Sequence, residues 1–133
     1  MNGPYLLDYI FRPVHIRAMS DTHFFQALSD ETRLRIIMLL ACDPELPVSA
    51  LVHALQVPQP KVSRHLAYLR EAGLVAVRRE AQWVHYRLDE NLPAWRKNVV
   101  ESTLEGLKND DIYEADRARL RELTGRPGRC AAA

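Results

Sequence analysis

The sequence predicts a mainly α-helical domain with a small β-hairpin (class α+β), and residues 57–88 supply the clearest observations. Val62, Leu66 and Leu69 recur at intervals of four and three residues, which places them on one face of a helix. Gly73 then ends this helix as a left-handed cap would. A change to an alternating apolar pattern follows, as in two strands, at Val75, Val77, Val84, Tyr86 and Leu88.

Basic residues are concentrated in this same stretch. Residues 57–88 hold six Lys or Arg and two Glu, a local net charge of +4, whereas the whole chain has a formal net charge of +1. Charge placed on one helix face and one hairpin tip favours a nucleic-acid contact more than total charge does. The basic residues are Lys61, Arg64, Arg70, Arg78, Arg79 and Arg87.

Length and composition are those of one globular domain, with 133 residues, 47% of them hydrophobic and 26% charged. Two cysteines make a disulfide framework improbable and suit a reducing cytosol. The apolar run at residues 6–11 is interrupted by Asp8, follows no basic segment and is too short to span a bilayer. We therefore expect a cytoplasmic protein with no membrane contact.

The chain before the basic helix predicts three more helices. Ser20 is suited to cap a helix that runs through residue 28, and Ser29 to cap the next, at residues 30–42. This second helix is apolar on nearly every side, which is typical of the central helix of a core. A short third helix, at residues 48–55, precedes a tight turn of the kind found between the two helices of a helix-turn-helix.

Two further helices are expected after the hairpin. Asp89 or Asn91 can cap a helix at residues 92–107, whose apolar stripe suits a dimer surface, and a highly charged helix follows at residues 109–123. The order of elements predicts a winged helix-turn-helix. Its expected divisions are an N-terminal extension with a dimerisation helix, the winged DNA-binding and dimerisation domain, and a charged C-terminal helix and tail, at residues 1–19, 20–108 and 109–133.

Several segments match a known family in order: FFQALSDETRLRIIMLL, KVSRHLAYLREAGLV, RRE and WVHYRL. Through them the chain, over about residues 24–101, resembles the ArsR family of bacterial metalloregulatory repressors, and LPAWRKNVVE is similar to its arsenic-responsive branch. The resemblance implies a homodimer joined through its N- and C-terminal helices. It also implies repression by binding to an imperfect palindrome in double-stranded operator DNA, with release by an inducer.

A helix in the major groove reads base edges mainly from its N-terminal half. Arg64 is best suited to guanine and Gln59 to adenine, while the arginines of the hairpin tip would reach phosphate or the minor groove. His65 lies near the apolar edge, so we expect a structural role for it. The candidate DNA-binding residues are Gln59, Lys61, Ser63, Arg64, Tyr68, Arg78, Arg79 and Gln82.

Two positions depart from the family pattern. Pro58 stands where the family usually has Ser or Thr, so the basic helix lacks a side-chain cap that is typically worth about 1 kcal/mol. Ala81 stands where a glycine is common at the wing tip, so we expect no positive φ there and a longer or differently shaped wing.

The inducer site of the arsenic branch is missing. Trivalent arsenic prefers thiolates, but Pro47, Ser49 and Val52 occupy the positions of the usual Cys-x-Cys-x-x-Cys run. No histidine follows His85, so the zinc ligands that the family places on its terminal helix are missing too.

Cys42 and Cys130 remain as candidate metal-binding residues. Cys42 of one chain and Cys130 of its partner would suit a trivalent arsenical that takes two thiolates, or would form a regulatory disulfide. A cysteine on an apolar helix, such as Cys42, is more often a small buried hydrophobe.

Two alternatives stay open: a winged-helix protein-interaction module, and an ArsR-like regulator that has no metal ligand and responds to a redox or another signal. An enzyme is not expected. Cys42 has no evident general base, no glycine-rich phosphate loop occurs, and the five histidines lack metal-ligand spacing.

Overall fold

The computed structural model describes residues 20–125 and residue 130. The extension predicted at residues 1–19 lies outside them. In the described part, six helices and three strands follow in this order: α1 Asp21–Leu28, α2 Glu31–Cys42, β1 Leu46–Pro47, α3 Val48–Leu55, α4 Gln59–Glu71, β2 Val75–Glu80, β3 Trp83–Leu88, α5 Ala94–Leu107 and α6 Asp111–Thr124. This is the predicted winged helix-turn-helix, with α3 and α4 as its two helices and β2 and β3 as its wing. No helix of these residues is long and apolar enough to cross a membrane.

Helix α2 is the centre of the core, as its apolar sequence predicted. Ile36, Ile37 and Leu39 are fully buried or nearly so. The helix packs against the other five helices and against β3. The other five helices and β3 are therefore positioned relative to α2.

The helix caps differ in part from the expectation. Ser20 caps α1, its Oγ accepting from the amide of His23 at 3.1 Å. The predicted cap of α2 at Ser29 is wrong, because Ser29 ends α1 and the carboxylate of Asp30 accepts from the amide of Thr32 at 3.1 Å. Both residue types cap helices well, so the sequence did not decide between neighbours.

The start of α5 also differs from the expectation. Pro93 precedes its first turn and no side chain caps it. The carboxylate of Asp89 instead accepts from the amide of Asn91 at 2.8 Å, which closes a turn between β3 and α5. The predicted cap at Asp89 or Asn91 was therefore wrong, although the helix itself is present.

Strand β1 was not predicted. Its two residues pair antiparallel with β3, opposite Tyr86 and His85, and give a three-stranded sheet in the order β1-β3-β2. Leu46 is 1% exposed, so this short strand fixes the base of the wing to the core. Two residues are too few to show an alternating pattern.

The wing tip contains the clearest error of the sequence prediction. Glu80 pairs with Trp83, so only Ala81 and Gln82 form the turn, and Ala81 has φ +54°. Two-residue hairpin turns whose twist matches the strands require positive φ at their first position. The pairing of β2 with β3 therefore imposes on Ala81 the conformation that its side chain disfavours.

Replacing Ala81 with Gly is expected to raise the free energy of unfolding by up to about 1 kcal/mol. A left-handed conformation costs a non-glycine residue roughly 1–2 kcal/mol, and the entropy that glycine loses offsets part of the gain. Chemical denaturation of both proteins measures the difference. Ala76→Gly in β2, where φ is not positive, is the matched control and should destabilise instead. Equal changes in the two variants would contradict the interpretation.

Candidate nucleic-acid interface

Helix α4 has one buried and one exposed face. Val62, Leu66 and Leu69 are fully buried, as predicted from their spacing. The exposed face of its N-terminal half contains Gln59 and Lys61 in the first turn and Arg64 in the second. Pro58 makes no side-chain cap, as expected, and Gln56, in the left-handed conformation, ends α3. The turn between α3 and α4 thus presents the N-terminal half of α4 outward.

Two residues of the predicted reading set have other surroundings. Ser63 is only 9% exposed, so its hydroxyl offers little surface to a base. The ring of Tyr68 is half-buried and lies under the guanidinium of Arg33, 4.0 Å from its centroid, with the edge of His23 at 5.8 Å. Tyr68 therefore connects α4 to α1 and α2 through packing.

His65 has the structural role that was predicted. Its Nδ1 lies 3.3 Å from Nη1 of Arg33, and its Nε2 lies 3.9 Å from the carboxylate of Asp30. Burial lowers the pKa of His65, and the nearby Asp30 opposes this effect. These contacts hold the ring of His65 against α2, away from the exposed basic residues of α4.

The wing exposes Arg78, Arg79 and Gln82, but Arg78 is engaged within the chain. Its Nη2 donates to Glu45 at 2.5 Å and its Nη1 donates to Glu80 at 2.9 Å. These hydrogen bonds raise the pKa of Arg78, and the one from Arg78 is the main reason why the pKa of Glu45 is lowered. The pair persists at neutral pH, so Glu45 competes with phosphate for Arg78.

Replacing Glu45 with Gln is expected to strengthen DNA binding and to make it more dependent on salt. The change removes one negative charge beside the wing and leaves Glu80 as the one charged partner that the structure shows for Arg78, so a phosphate competes for Arg78 more easily. Each added phosphate contact steepens the slope of log K against log salt by about 0.9. Anisotropy titrations of duplex DNA between low and moderate salt measure this slope.

Glu105→Gln is the control for the wing variant. Glu105 is exposed on α5 and pairs with Lys108, far along the chain from the wing. This variant loses the same charge but should leave the slope unchanged. An equal effect of both variants, or weaker binding by Glu45→Gln, would show that Glu45 does not restrain Arg78.

Some residues that shape the site were not found from the sequence. Glu45 comes next to the short β1, and nothing in its sequence neighbourhood pointed to Arg78, 33 residues away. Trp83, at the start of β3, is 56% exposed and stands next to the turn of the wing. The sequence indicated the position of Trp83 only through its place in the alternating pattern of β3, on the side opposite Val84 and Tyr86.

The two cysteines are brought together within one chain, not between two chains as proposed from the sequence. Cys42, at the end of α2, is 2% exposed and is joined to Cys130 by a disulfide. The chain returns to α2 because α6 packs along α3 and α2. Beside Cys42 lies a cavity of about 340 Å³, lined by Leu40, Ala41, Cys42, Asp43, Pro44, Arg87, Leu88 and Glu101. In the part of the chain that the structure describes, no group of three or more His, Cys, Asp or Glu side chains could hold a metal ion.

A family model described as "Bacterial regulatory protein, arsR family" matches residues 30–77, which include α2, α3, α4 and the start of the wing. The arsenic resistance transcriptional regulator ArsR1 of Pseudomonas putida is 46% identical over 105 residues, which are 77% of this chain and 79% of that protein. The arsenical resistance operon repressor of Escherichia coli is 51% identical over 77 residues, 58% of this chain and 66% of that protein.

A solved structure with the same fold is that of HlyU from Vibrio cholerae. It superposes with a TM-score of 0.53 at 37% identity and covers 65% of this chain and 86% of its own. On these matches, the chain belongs to the arsR family of bacterial regulatory proteins.

Proposed function

We propose that this protein is a cytoplasmic, homodimeric transcriptional repressor that binds a palindromic operator in double-stranded DNA and is released by a thiol-reactive inducer. One observation carries the proposal: the first turns of α4 expose Gln59, Lys61 and Arg64 beside a basic wing. Relatives of the chain are named as regulators and a repressor of arsenic resistance, which supports the same role. The basic residues exposed on α4 and on the wing argue against the alternative of a protein-interaction module, because such a module would be expected to present an acidic or apolar face.

The exposed face of α4 offers two kinds of contact. Arg64 can donate two hydrogen bonds to a guanine and Gln59 can bond an adenine, whereas Lys61 is suited to phosphate. Arg79 and Gln82 are exposed at the wing tip and would reach the adjacent backbone or minor groove. Base contacts thus come from α4, and the wing supplies affinity that does not depend on sequence.

Two exposed aromatic side chains mark the proposed dimer surface. Phe25 of α1 is 50% exposed and Trp95 of α5 is 43% exposed, and their ring centroids lie 6.3 Å apart. Large aromatic residues are enriched in the buried centres of interfaces. The patch is formed by the first and fifth helices, in agreement with the terminal-helix dimer that the family resemblance implies.

Replacing Phe25 with Ser is expected to weaken the dimer without unfolding the chain, because half of this side chain is already exposed. Sedimentation equilibrium should show a shift toward the monomer, and operator affinity should fall with it. Leu123→Ser, which alters another 50% exposed apolar residue on α6, is the control and should stay dimeric. A fully dimeric Phe25→Ser protein would place the interface elsewhere.

Footprinting on the promoter of the protein's own gene tests the proposed function. Two recognition helices related by a two-fold axis enter successive major grooves on one face of the duplex, about 34–36 Å apart. We therefore expect two protected half-sites with inverted sequence at that spacing or a multiple of it. A single protected site, or protection that does not depend on sequence, would contradict the proposal.

A further inference from the structure

We propose that α6 is a positioning element for DNA reading, because Asp116 holds two arginines against the end of α3 and this anchor sets the direction of α4. The inference rests on the proposed function, since the property that it explains is the discrimination of operator from random DNA. It gives a role in that discrimination to Arg35 and Arg119, which are not among the exposed residues of α4 and the wing.

The last two carbonyl groups of α3 accept hydrogen bonds from arginines of other helices. Carbonyls in the last turn of a helix have no partner within that helix. The carbonyl of Ala54 accepts from Nε of Arg119 at 2.7 Å, and the carbonyl of Leu55 accepts from Nη2 of Arg35 at 2.8 Å. Ala54 and Leu55 are buried, so water has little access to these carbonyls. The end of α3 is therefore bonded to both α2 and α6.

Asp116 of α6 holds both arginines in place. Its carboxylate accepts from Nε and Nη2 of Arg35 at 2.9 and 2.7 Å, and from Nη2 of Arg119 at 2.8 Å. A carboxylate that accepts two hydrogen bonds from one guanidinium fixes the orientation of that group as well as its distance. The position of Asp116 thus determines where both donors lie relative to α3.

The charges of this cluster suit the end of a helix. Two guanidinium groups and one carboxylate leave one surplus positive charge in a largely buried place. The C-terminal end of a helix carries a partial negative charge of about half an elementary charge. The end of α3 therefore stabilises the surplus charge, and the cluster in turn stabilises the last turn of α3.

The turn between α3 and α4 depends on this anchor. Gln56, Val57 and Pro58 separate the two helices, and Gln56 has φ +55°. Pro58 gives α4 no side-chain cap, so nothing of that kind holds the first turn of α4 independently. A linker this short transmits a tilt of the end of α3 to the start of α4, where Gln59 and Lys61 are exposed.

Reading a base needs more precision than attraction to phosphate does. A side chain that recognises a ligand has to be held within about 0.5 Å of its productive position. Attraction between basic residues and the phosphate backbone has no such requirement and supplies the binding to random DNA. Loss of the anchor should therefore weaken binding to the operator and leave binding to random DNA unchanged.

Arg119→Met is the test variant, and Arg121→Met is its matched control. Met keeps an apolar stem in place of Arg119 and removes its donors. The Arg119 side chain is 30% exposed, so the variant should fold, which circular dichroism checks. Arg121 is exposed on the same helix and its replacement removes the same charge.

Competition titrations with operator and random duplexes are the first readout. Operator affinity should fall about 2- to 30-fold for Arg119→Met, the usual range for residues that act on a site through others. It should stay the same for Arg121→Met, and affinity for random DNA should stay the same for both. Unchanged operator affinity of a folded Arg119→Met protein, or an equal fall on the two duplexes, would overturn the proposal.

Amide hydrogen exchange, followed residue by residue by NMR, is the second readout and also applies to the parent chain. The amide of Gln56 donates to the carbonyl of Val52 at 3.0 Å. In the parent it should exchange as slowly as amides in the middle of α3, and in Arg119→Met it should exchange faster while α2 is unaffected. Fast exchange of Gln56 in the parent would overturn the proposal even if the variant did not fold. A parent that binds both duplexes equally would instead refute the proposed function, and exchange would still show whether α6 holds the end of α3.

Discussion

Replacing Asp116 with Ala is expected to lower the free energy of unfolding by about 3–5 kcal/mol, the usual cost of removing one partner of a buried ion pair. Asp116 is 1% exposed and accepts from Arg35 at 2.7 and 2.9 Å and from Arg119 at 2.8 Å. Its hydrogen bond is the main reason why the pKa of Arg35 is raised. Without it, a buried guanidinium loses its counter-charge. Denaturant-induced unfolding of the variant measures the loss.

Glu105→Gln is the control for this prediction. Its pair with Lys108 is exposed and joins residues three apart on one helix, so its loss should cost less than about 1 kcal/mol. A double variant, Arg35→Met with Asp116→Leu, removes both buried charges and should recover much of the stability. A small loss for Asp116→Ala alone would mean that water reaches Arg35 and that α6 is not firmly docked on the core.

Replacing Arg64 with Ala should weaken binding to the operator by about 1–3 kcal/mol, which is about 5- to 150-fold. Arg64 is exposed in the first half of α4, where it can contact both acceptors of a guanine. Binding to random DNA should fall much less, because non-specific binding depends on the summed charge of all the basic residues at the interface, of which Arg64 is only one. Competition titrations with operator and random duplexes measure the two effects.

Arg121→Ala is the matched control for Arg64. It removes the same charge from an exposed position in the last turn of α6. Operator affinity should change little. Equal losses on operator and random DNA for Arg64→Ala would show that Arg64 contacts phosphate and does not read a base.

The sequence predicted the elements whose residues are close together in the chain. Spacings of three and four residues identified α4, and alternation identified β2 and β3. These patterns depend on neighbouring residues only, so the reading helix and the wing could be recognised from sequence together with the exposed Arg64 and Arg79.

Contacts between distant residues could not be predicted in the same way. The ion pair of Arg35 with Asp116 joins residues 81 positions apart, and it explains why the charged helix α6 docks on the core. Glu45 reaches Arg78 only because β1 pairs with the wing. The positive φ of Ala81 follows from the register of the hairpin, which overrides the preference of the residue itself.

The most direct test of the account is a titration of the reduced protein with a duplex carrying the promoter of its own gene and with a scrambled duplex, repeated at several salt concentrations. Specific binding should exceed non-specific binding by about 10³-fold or more, and both should weaken steeply with salt. Equal affinity for the two duplexes, or binding that salt does not affect, would contradict a repressor that reads DNA through α4 and its wing.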